Sequence, residues 1–212
     1  MFKPKLWIFH VNRFDLTQIA YRSVEGWFDI QIINNGDKQE QALLKTLGCN
    51  IYRPPIPFNF RQSQQLILTF AIEQNLPSYF WMHNDVEALE GTPEKLIKFV
   101  CNLREPWGVV LTDWDCMTAF NTKALEAIGG WSDLFEQYFL DNHTYRLLEQ
   151  NGYPLLRSNL QVIHHEDASC TLKADSRRIK RNEYVYPIQA FLYQRIWNGS
   201  PGQEKRQEPV IR

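Results

Sequence analysis

The sequence predicts an α/β fold in which a mixed central sheet is flanked by helices on both faces. Short apolar runs alternate with amphipathic segments along most of the chain, and clusters of Gly, Pro and Asn separate them. The chain has 212 residues, which is enough for one sizeable core. Hydrophobic residues make up 44% and charged residues 22%, a balance typical of globular domains rather than of disordered chains.

The predicted elements follow one another in a regular order. Apolar runs predict strands at 6–10, 28–33, 50–53, 79–82, 109–112 and 119–121. Amphipathic spacing and cap residues predict helices at 16–23, 38–47, 61–74, 92–103, 122–128, 142–150 and 184–197. Between the second strand and the second helix, Asn34-Asn35-Gly36-Asp37 is a turn, because Asn and Gly tolerate positive φ. This alternation favours a sheet covered on both faces.

Composition excludes several classes of protein. Lys and Arg number 23 against 24 Asp and Glu, so no broad basic surface for nucleic acid is indicated, although a local patch stays open. The four cysteines form no CxxC pair, which excludes a zinc ribbon and gives no sign of a disulfide framework. The N-terminal apolar run is interrupted by His10 and Asn12, and no run of 18 apolar residues follows. We therefore expect a soluble cytoplasmic protein with no signal peptide and no transmembrane segment.

Well-known catalytic motifs are missing from the sequence. It contains no GxGxxG, GxxxxGK[ST], GxSxG or HExxH. Dinucleotide oxidoreductases, P-loop NTPases, serine hydrolases and zincins therefore lose their usual support.

The first polar constellation, His83-Asn84-Asp85-Val86-Glu87, follows a predicted strand. Sites in α/β sheets form beyond the carboxyl ends of strands, and carboxylates there can hold a divalent cation. The alternative is a turn with solvated charges.

The second constellation runs from Gly129-Gly130-Trp131 to Asp141. Asp141 stands just before the helix predicted to begin at Asn142, where an N-cap carboxylate would be kept ionised by the helix dipole. An ionised carboxylate is what a general base for a sugar hydroxyl needs. The alternative is that Asp141 only caps the helix.

The third constellation is His164-His165-Glu166-Asp167. Neighbouring side chains of an extended segment point to opposite faces, so one of the two imidazoles would face a given site. Imidazole is a good ligand for transition metals. The alternative is an ordinary hydrogen-bonded or surface histidine.

In this order the constellations resemble the GT-A glycosyltransferases, especially the family-2-like enzymes, from about Leu6 to Val210. Val11-Asn12-Arg13 resembles the loop after the family's first strand, and the segment 32–37 resembles its "Val-Asp-Asn-Gly-Ser" signature. The segment 80–86 falls at the "DxD" motif, with His83 in place of the first Asp and Asp85 as the last. In the family these regions bind the nucleotide and its metal.

The second half of the chain continues the resemblance. The segment 129–141 is similar to the family's "Gly-Gly-Phe-Asp-Glu … Glu-Asp-x-Asp" block, which aligns Asp141 with the catalytic base and puts Leu140 in place of the preceding acid. The segments 145–153, 162–165, 193–199 and 204–209 are similar to its "Arg-Leu … Gly-Tyr" stretch, its metal- or diphosphate-binding His and its tail.

The resemblance implies one catalytic domain over residues 1–212, which moves a sugar from a nucleotide-diphospho-sugar, with a UDP-sugar favoured, to a hydroxyl of a glycan or other acceptor. It implies a donor-binding half at about 1–111, an acceptor half at about 112–198 and an extended tail at 199–212. Asp141 would be the base of an inverting reaction, Asp85 and His164 would hold Mn²⁺ or Mg²⁺, and Trp131 and Asp115 would contact the acceptor. The implied donor contacts are Val11, Asn12, Arg13, Asn35, Asp37, Arg61, Asn84 and Asp85. The basic stretch 173–181 could also close over the diphosphate.

Three alternatives stay open. A GT-A-like domain that has lost catalysis would bind a sugar nucleotide without transferring it. A sugar nucleotidyltransferase also combines an α/β sheet with metal-binding carboxylates, although the Gly-rich phosphate loop expected near its N-terminus is missing from this sequence. A non-enzymatic interaction module would use exposed aromatic residues and bind no nucleotide.

Overall fold

The computed structural model describes residues 3–165 and 173–209. Glu166 and Asp167 of the third constellation, Cys170, and residues 210–212 at the end of the tail lie outside the described residues. The strands are β1 (Lys5–His10), β2 (Asp29–Asn34), β3 (Asn50–Tyr52), β4 (Ser78–His83), β5 (Val86–Ala88), β6 (Val109–Leu111), β7 (Met117–Asn121), β8 (Leu155–Arg157) and β9 (Val162–His164). The helices are α1 (Phe14–Val24), α2 (Lys38–Lys45), α3 (Phe60–Glu73), α4 (Thr92–Cys101), α5 (Thr122–Ala127), α6 (Leu140–Gln150) and α7 (Ser176–Trp197).

A seven-stranded mixed sheet forms the centre of the fold. Its strand order is β3-β2-β1-β4-β7-β6-β8, and β7 runs antiparallel to both of its neighbours while the other strands run parallel. A second, two-stranded sheet pairs β5 with β9 in antiparallel fashion. The predicted α/β class, with a mixed central sheet flanked by helices, is confirmed.

The alternation of side chains along β1 builds one core on each face of the sheet. Leu6 and Ile8 pack in a cluster that includes residues of α1 and α4. Trp7 and Phe9 point to the opposite face and pack in a second cluster that includes residues of α3, α5 and α7. A strand buried on both faces reads as a continuous apolar run, which is how β1 reads in the sequence.

Three short strands are not among the predicted elements. β5, β8 and β9 have three residues each, and all three pair with segments far away in the sequence. β3 and β6 are equally short, but they fall within the predicted runs 50–53 and 109–112. A run of three residues by itself carries too little periodicity to be told from a loop.

Two of the differences between predicted and observed helix starts affect the predicted site. α6 begins at Leu140 after Phe139, whose φ is 60°, so Asp141 lies in the first turn and is not the N-cap. α7 begins at Ser176, so most of the basic stretch 173–181 is helical rather than a loop that could close over a ligand. No helix within the described residues is long and apolar enough to cross a bilayer.

The direction of the strands determines where a site can form. β1, β2, β3, β4, β6 and β8 run the same way, so all six end at one edge of the sheet. Loops that leave this edge carry a large part of the predicted site, namely residues 11–13, 35, 37, 84, 85 and 115, as expected for an open α/β sheet.

Candidate functional site

Three potential metal ligands meet where β4 ends. The Nε2 atom of His164 lies 3.2 Å from Oδ1 of Asp85, and the Nδ1 atom of His83 lies 3.7 Å from the same oxygen. One ligand atom from each of the three residues falls within 4.8 Å of the others. Two imidazoles and a carboxylate at this spacing can hold one divalent transition-metal ion.

The small β5–β9 sheet holds this cluster together. Val86 pairs with His164 across the ladder, and the backbone N–H of His165 donates to the carbonyl of Asp85 at 2.9 Å. The carboxylate of Asp85 is buried, with 4% of its side chain exposed. The cluster is therefore a product of long-range pairing between the end of β4 and a segment about 80 residues later.

The electrostatics of the cluster favour a charged Asp85. Burial acts to raise the pKa of this carboxyl, but the hydrogen bond from His164 and the charge of His83 outweigh it and hold the pKa below its usual range. Burial lowers the pKa of His83 in spite of the attraction of Asp85. A charged carboxylate beside the His83 imidazole, whose protonation burial disfavours, suits metal binding, because metal ligands must be deprotonated.

Asn84 connects this cluster to the loop after β1. Its Nδ2 donates to the carbonyl of Asn12 at 3.0 Å and to Oγ1 of Thr17 at 3.1 Å. In the same loop Arg13 adopts a left-handed conformation, with φ 61°, and forms an ion pair with Asp15 at 2.8 Å. The predicted donor-binding residues 11–13 and 84–85 are thus brought together at the edge of the sheet.

The turn after β2 packs against the same loop. Gly36 approaches so closely that a Cβ atom there would lie 2.6 Å from the carbonyl oxygen of Val11, and only glycine fits. Asn35 is buried and donates to Oγ of Ser63 at 3.2 Å.

Asp37 and Arg61, two more predicted donor contacts, have structural partners. Asp37 caps α2 by accepting hydrogen bonds from two backbone N–H groups at 2.8 and 2.9 Å. The guanidinium of Arg61 pairs with the carboxylate of Asp133. The contribution of these residues to donor binding stays a prediction.

A pair of acids, Asp115 and Asp141, lies at the same edge as the metal-ligand cluster. Asp115 follows β6, and Asp141 sits in the first turn of α6, where its Oδ1 accepts from the N–H of Asn142 at 2.9 Å. Burial, the charge of Asp115 and a hydrogen bond with Asp115 raise the pKa of Asp141 to about 7. The expectation that the helix dipole keeps Asp141 fully ionised is therefore corrected, since burial and a neighbouring carboxylate outweigh the dipole.

Asp115 also links the two groups of side chains. Its negative charge acts on the imidazole of His83 as well as on the carboxyl of Asp141. The metal-ligand cluster and the carboxyl pair Asp115 and Asp141 thus belong to one continuous polar site.

An open cavity of about 370 Å³ is lined by Asp115 and by Asn142, the residue after Asp141. Trp114 lies on its wall, is 57% exposed, and has its ring 6.3 Å from the ring of His164. The polar residues that line the cavity are Asp113, Asp115, Asn142, Arg146, Glu149, Arg157 and Glu204.

Trp131 does not reach the cavity. It is 3% exposed and packs edge-on against Phe120 with ring centroids 5.3 Å apart, and its backbone N–H donates to Oε1 of Gln65 at 3.1 Å. The prediction that Trp131 stacks on an acceptor is therefore corrected: the ring belongs to the core, and Trp114 is the exposed tryptophan beside the site.

His83 is a candidate ligand that was not predicted from the sequence, where it was noted only as the replacement of the first Asp of the DxD motif. The available signal was the spacing. Alternate residues of an extended segment point the same way, so His83 and Asp85 face one site, and imidazole replaces carboxylate as a ligand.

Solved structures with a similar architecture are known. S. aureus TarS superposes with a TM-score of 0.59 at 9% identity, over 76% of this chain and 36% of the TarS chain. A cytidylyltransferase from Leptospira borgpetersenii gives 0.55 at 7% identity, over 96% and 98% of the two chains. CMP:2-keto-3-deoxy-manno-octonic acid synthetase complexed with CTP gives 0.56 at 8% identity, over 86% and 99%.

The chain has a GT-A-like fold. The present chain matches about a third of the length of TarS. It matches nearly the whole length of the cytidylyltransferase and of the CMP:2-keto-3-deoxy-manno-octonic acid synthetase. No protein-family model matches the sequence, and no curated protein matches it either. At identities near 10% these likenesses establish the GT-A-like architecture, and the chemistry has to be argued from the site.

Proposed function

We propose that the protein is a metal-dependent, inverting glycosyltransferase that uses a nucleotide-diphospho-sugar as donor and a hydroxyl group as acceptor. The observation that carries the proposal is that two groups of reactive side chains lie together at one edge of a GT-A-like sheet. One is the potential metal-ligand cluster His83, Asp85 and His164, and the other is the carboxyl pair Asp115 and Asp141. The whole of residues 1–212 would act as one catalytic domain, with donor binding up to about residue 111.

The ligand set fits a divalent cation. Asp85 offers a buried carboxylate, and the two imidazoles face it at 3.2 and 3.7 Å. Imidazole suits transition metals and is a poor ligand for Mg²⁺, so the site favours Mn²⁺ or a later divalent metal. A bound cation would supply Lewis-acid neutralisation of the charge that develops on the departing nucleoside diphosphate.

Asp141 is proposed as the general base. A pKa of about 7 matches a group that must both accept a proton and lose it again near neutral pH. The acceptor oxygen forms its bond to the anomeric carbon while the bond from that carbon to the diphosphate breaks. The hydroxyl proton passes to Oδ of Asp141, and attack opposite to the leaving group inverts the configuration.

The cavity is proposed as the acceptor site. It lies beside Asp115, and the exposed ring of Trp114 offers an apolar face on which a sugar ring can stack. The surrounding acids and arginines can accept from and donate to sugar hydroxyls.

Asp141→Asn is the direct test of the base. The amide keeps the size of the side chain but cannot take a proton, so transfer should fall at least about a hundredfold, the range for loss of general-base catalysis. Donor binding, measured as the rise in melting temperature with UDP-, GDP- or dTDP-sugars and Mn²⁺, should persist and should disappear with EDTA. Glu126→Gln, a carboxylate-to-amide change at an exposed position of α5 that does not line the cavity, is the matched control. Near-normal transfer by Asp141→Asn would show that the base is elsewhere.

A sugar nucleotidyltransferase is the second candidate. The observation in its favour is coverage, because the chain matches two cytidine-nucleotide enzymes over nearly their full lengths. Incubation with CTP and an acidic sugar or a sugar phosphate should then release pyrophosphate, whereas a glycosyltransferase releases none. Pyrophosphate release that depends on Asp85 would favour this candidate over the first.

A further inference from the structure

The outer face of α7 is an exposed stripe of arginines and large apolar side chains. Arg177, Arg181, Tyr184, Ile188, Phe191 and Arg195 follow one another at intervals of four and three residues, which places them on one side of the helix. Tyr184, Ile188 and Phe191 are 73%, 66% and 65% exposed. We call these six residues the α7 stripe.

The opposite face of α7 anchors the helix to the fold. Gln189, Tyr193, Ile196 and Trp197 are buried, and the hydroxyl of Tyr193 donates to Glu204 at 2.5 Å. The helix is therefore held in place, and the α7 stripe faces outward because the inner side is already packed.

Positive charge is concentrated on this helix. The chain as a whole has a net charge of -1, yet α7 contains five basic residues (Arg177, Arg178, Lys180, Arg181 and Arg195) and one acidic residue, Glu183. Three of the arginines have acidic partners: Arg181 pairs with Glu136 at 2.7 Å, and Arg177 and Arg178 each lie 3.5 Å from Asp175. Of these, Arg177 keeps 92% of its side chain exposed. The apolar centre of the stripe is thus flanked by basic residues at both ends.

We propose that the α7 stripe docks the protein on an anionic membrane surface. Interfacial helices combine basic residues, which attract anionic headgroups, with aromatic and aliphatic side chains that enter the boundary of the acyl chains. Tyrosine suits this boundary because its ring is apolar and its hydroxyl is polar. The α7 stripe is a convex row of side chains on a single helix. A membrane can deform around such a row, whereas a protein partner would need a complementary groove.

A second copy of the chain fits the stripe poorly. In an antiparallel two-fold pairing of two α7 helices, Arg177 of each would face Arg195 of the other, and in a parallel pairing each arginine would face itself. Juxtaposed like charges disfavour both arrangements.

The docking surface lies next to the proposed site. The ring of Tyr186 on α7 contacts the rings of Tyr138 and Phe139, at 5.1 and 5.5 Å, immediately before the turn that carries Asp141. If the proposed function holds, docking would present the acceptor side of the site to a hydroxyl carried at the membrane.

Vesicle co-sedimentation of the full chain tests the proposal. The native protein should sediment with vesicles that contain phosphatidylserine and stay in solution with phosphatidylcholine alone, and high salt should release it. The combined change Tyr184→Ser, Ile188→Ser and Phe191→Ser should weaken binding at least about tenfold. Ile56→Ser, which removes a 63% exposed isoleucine elsewhere, is the matched control and should bind as the native chain does.

Several outcomes would overturn the docking surface. These are a native chain that ignores anionic vesicles, a control that loses as much binding as the stripe variant, or a native dimer that the stripe variant converts to a monomer. The melting temperature of the stripe variant, measured alone and with donor nucleotide, reports folding and the proposed function separately. Vesicle binding without nucleotide binding would refute the proposed transferase function but would still support the α7 stripe as a membrane-docking surface.

Discussion

At the scale of single residues, the site depends on which atoms can share a metal ion. Asp85 alone is a hard oxygen ligand that would suit Mg²⁺ as well as Mn²⁺. His83 and His164 surround it with two nitrogen atoms within 4.8 Å, and this changes the expected selectivity. Nitrogen ligands raise affinity along the series from Mn²⁺ to Cu²⁺, while Mg²⁺ gains little from them. Replacing the imidazole of His83 by a carboxylate should therefore move the site back toward hard cations.

His83→Asp should improve binding of Mg²⁺ relative to Co²⁺ by about tenfold or more, because one nitrogen ligand becomes an oxygen ligand. Titration calorimetry with each metal alone measures this without any nucleotide. His165→Asn is the control, since the imidazole of His165 faces Glu87 at 3.0 Å rather than Asp85. An unchanged ratio of the two affinities in His83→Asp would remove His83 from the ligand set.

Residue-level prediction from the sequence depended on motifs and could not foresee burial. The family resemblance implied Asp85 with one of two neighbouring histidines as metal ligands, His164 being favoured. His164 lies 3.2 Å from Asp85 in the structure, and metal binding by the pair stays a prediction. The burial of Trp131 could not be predicted from the two glycines before it, because a tryptophan beside a turn can face either the core or the solvent. The raised pKa of Asp141 was also out of reach, since it depends on burial and on the approach of Asp115, which is distant in the sequence.

At the scale of elements, α7 positions the loop that leads into α6. The side-chain oxygen of Gln189, a buried residue of α7, accepts the backbone N–H of Tyr138 at 2.7 Å. Phe139 then takes a left-handed conformation, and α6 begins with Asp141 in its first turn. One hydrogen bond thus couples a C-terminal helix to the placement of the proposed base.

Gln189→Leu should destabilise the protein by about 1–3 kcal/mol, because the N–H of Tyr138 is left without its partner. Urea unfolding measures the change in free energy, and the transfer rate should fall as well because the turn before Asp141 loosens. Gln194→Leu, on an exposed position of the same helix, should change stability by less than about 0.5 kcal/mol. Equal effects of the two substitutions would contradict this role of Gln189.

Element prediction depended on how clear the local apolar pattern is. The runs that became β1, β2 and β4, each of six residues, and the helices with clear apolar faces were found within a few residues of their observed ends. β5 and β9 have no such signal, and each exists because the other is there. Since that pair holds His164 against Asp85, the part of the fold that was hardest to predict is the part that assembles the metal-ligand cluster.

At the scale of the whole molecule, the free energy of unfolding should depend on pH through buried groups whose pKa shifts have opposite effects. Burial lowers the pKa of both His10 and His143 to about 4. The unfolded chain therefore binds more protons at these histidines between pH 4 and 6.5, and stability is lost as pH falls through that range. Asp141 acts the other way. Its pKa is raised from 3.8 to about 7 in the folded state, so its contribution is present at low pH and is lost as pH rises toward 7.

Asp141→Asn removes this opposing contribution and leaves the histidines unchanged. The stability of the variant relative to the native protein should therefore increase as pH rises from about 4 to about 7, and stay level above that, with a total change on the order of 2 kcal/mol after allowance for partial solvent exposure. Urea unfolding of both proteins without metal, at several pH values, measures the difference, in which effects common to both chains cancel. Glu149→Gln, an exposed carboxylate-to-amide change on the same helix, should give a difference that varies little with pH. A flat difference for Asp141→Asn, or one that shrinks as pH rises, would mean that Asp141 does not retain its proton toward neutrality, and its role as a base with a pKa near 7 would have to be abandoned.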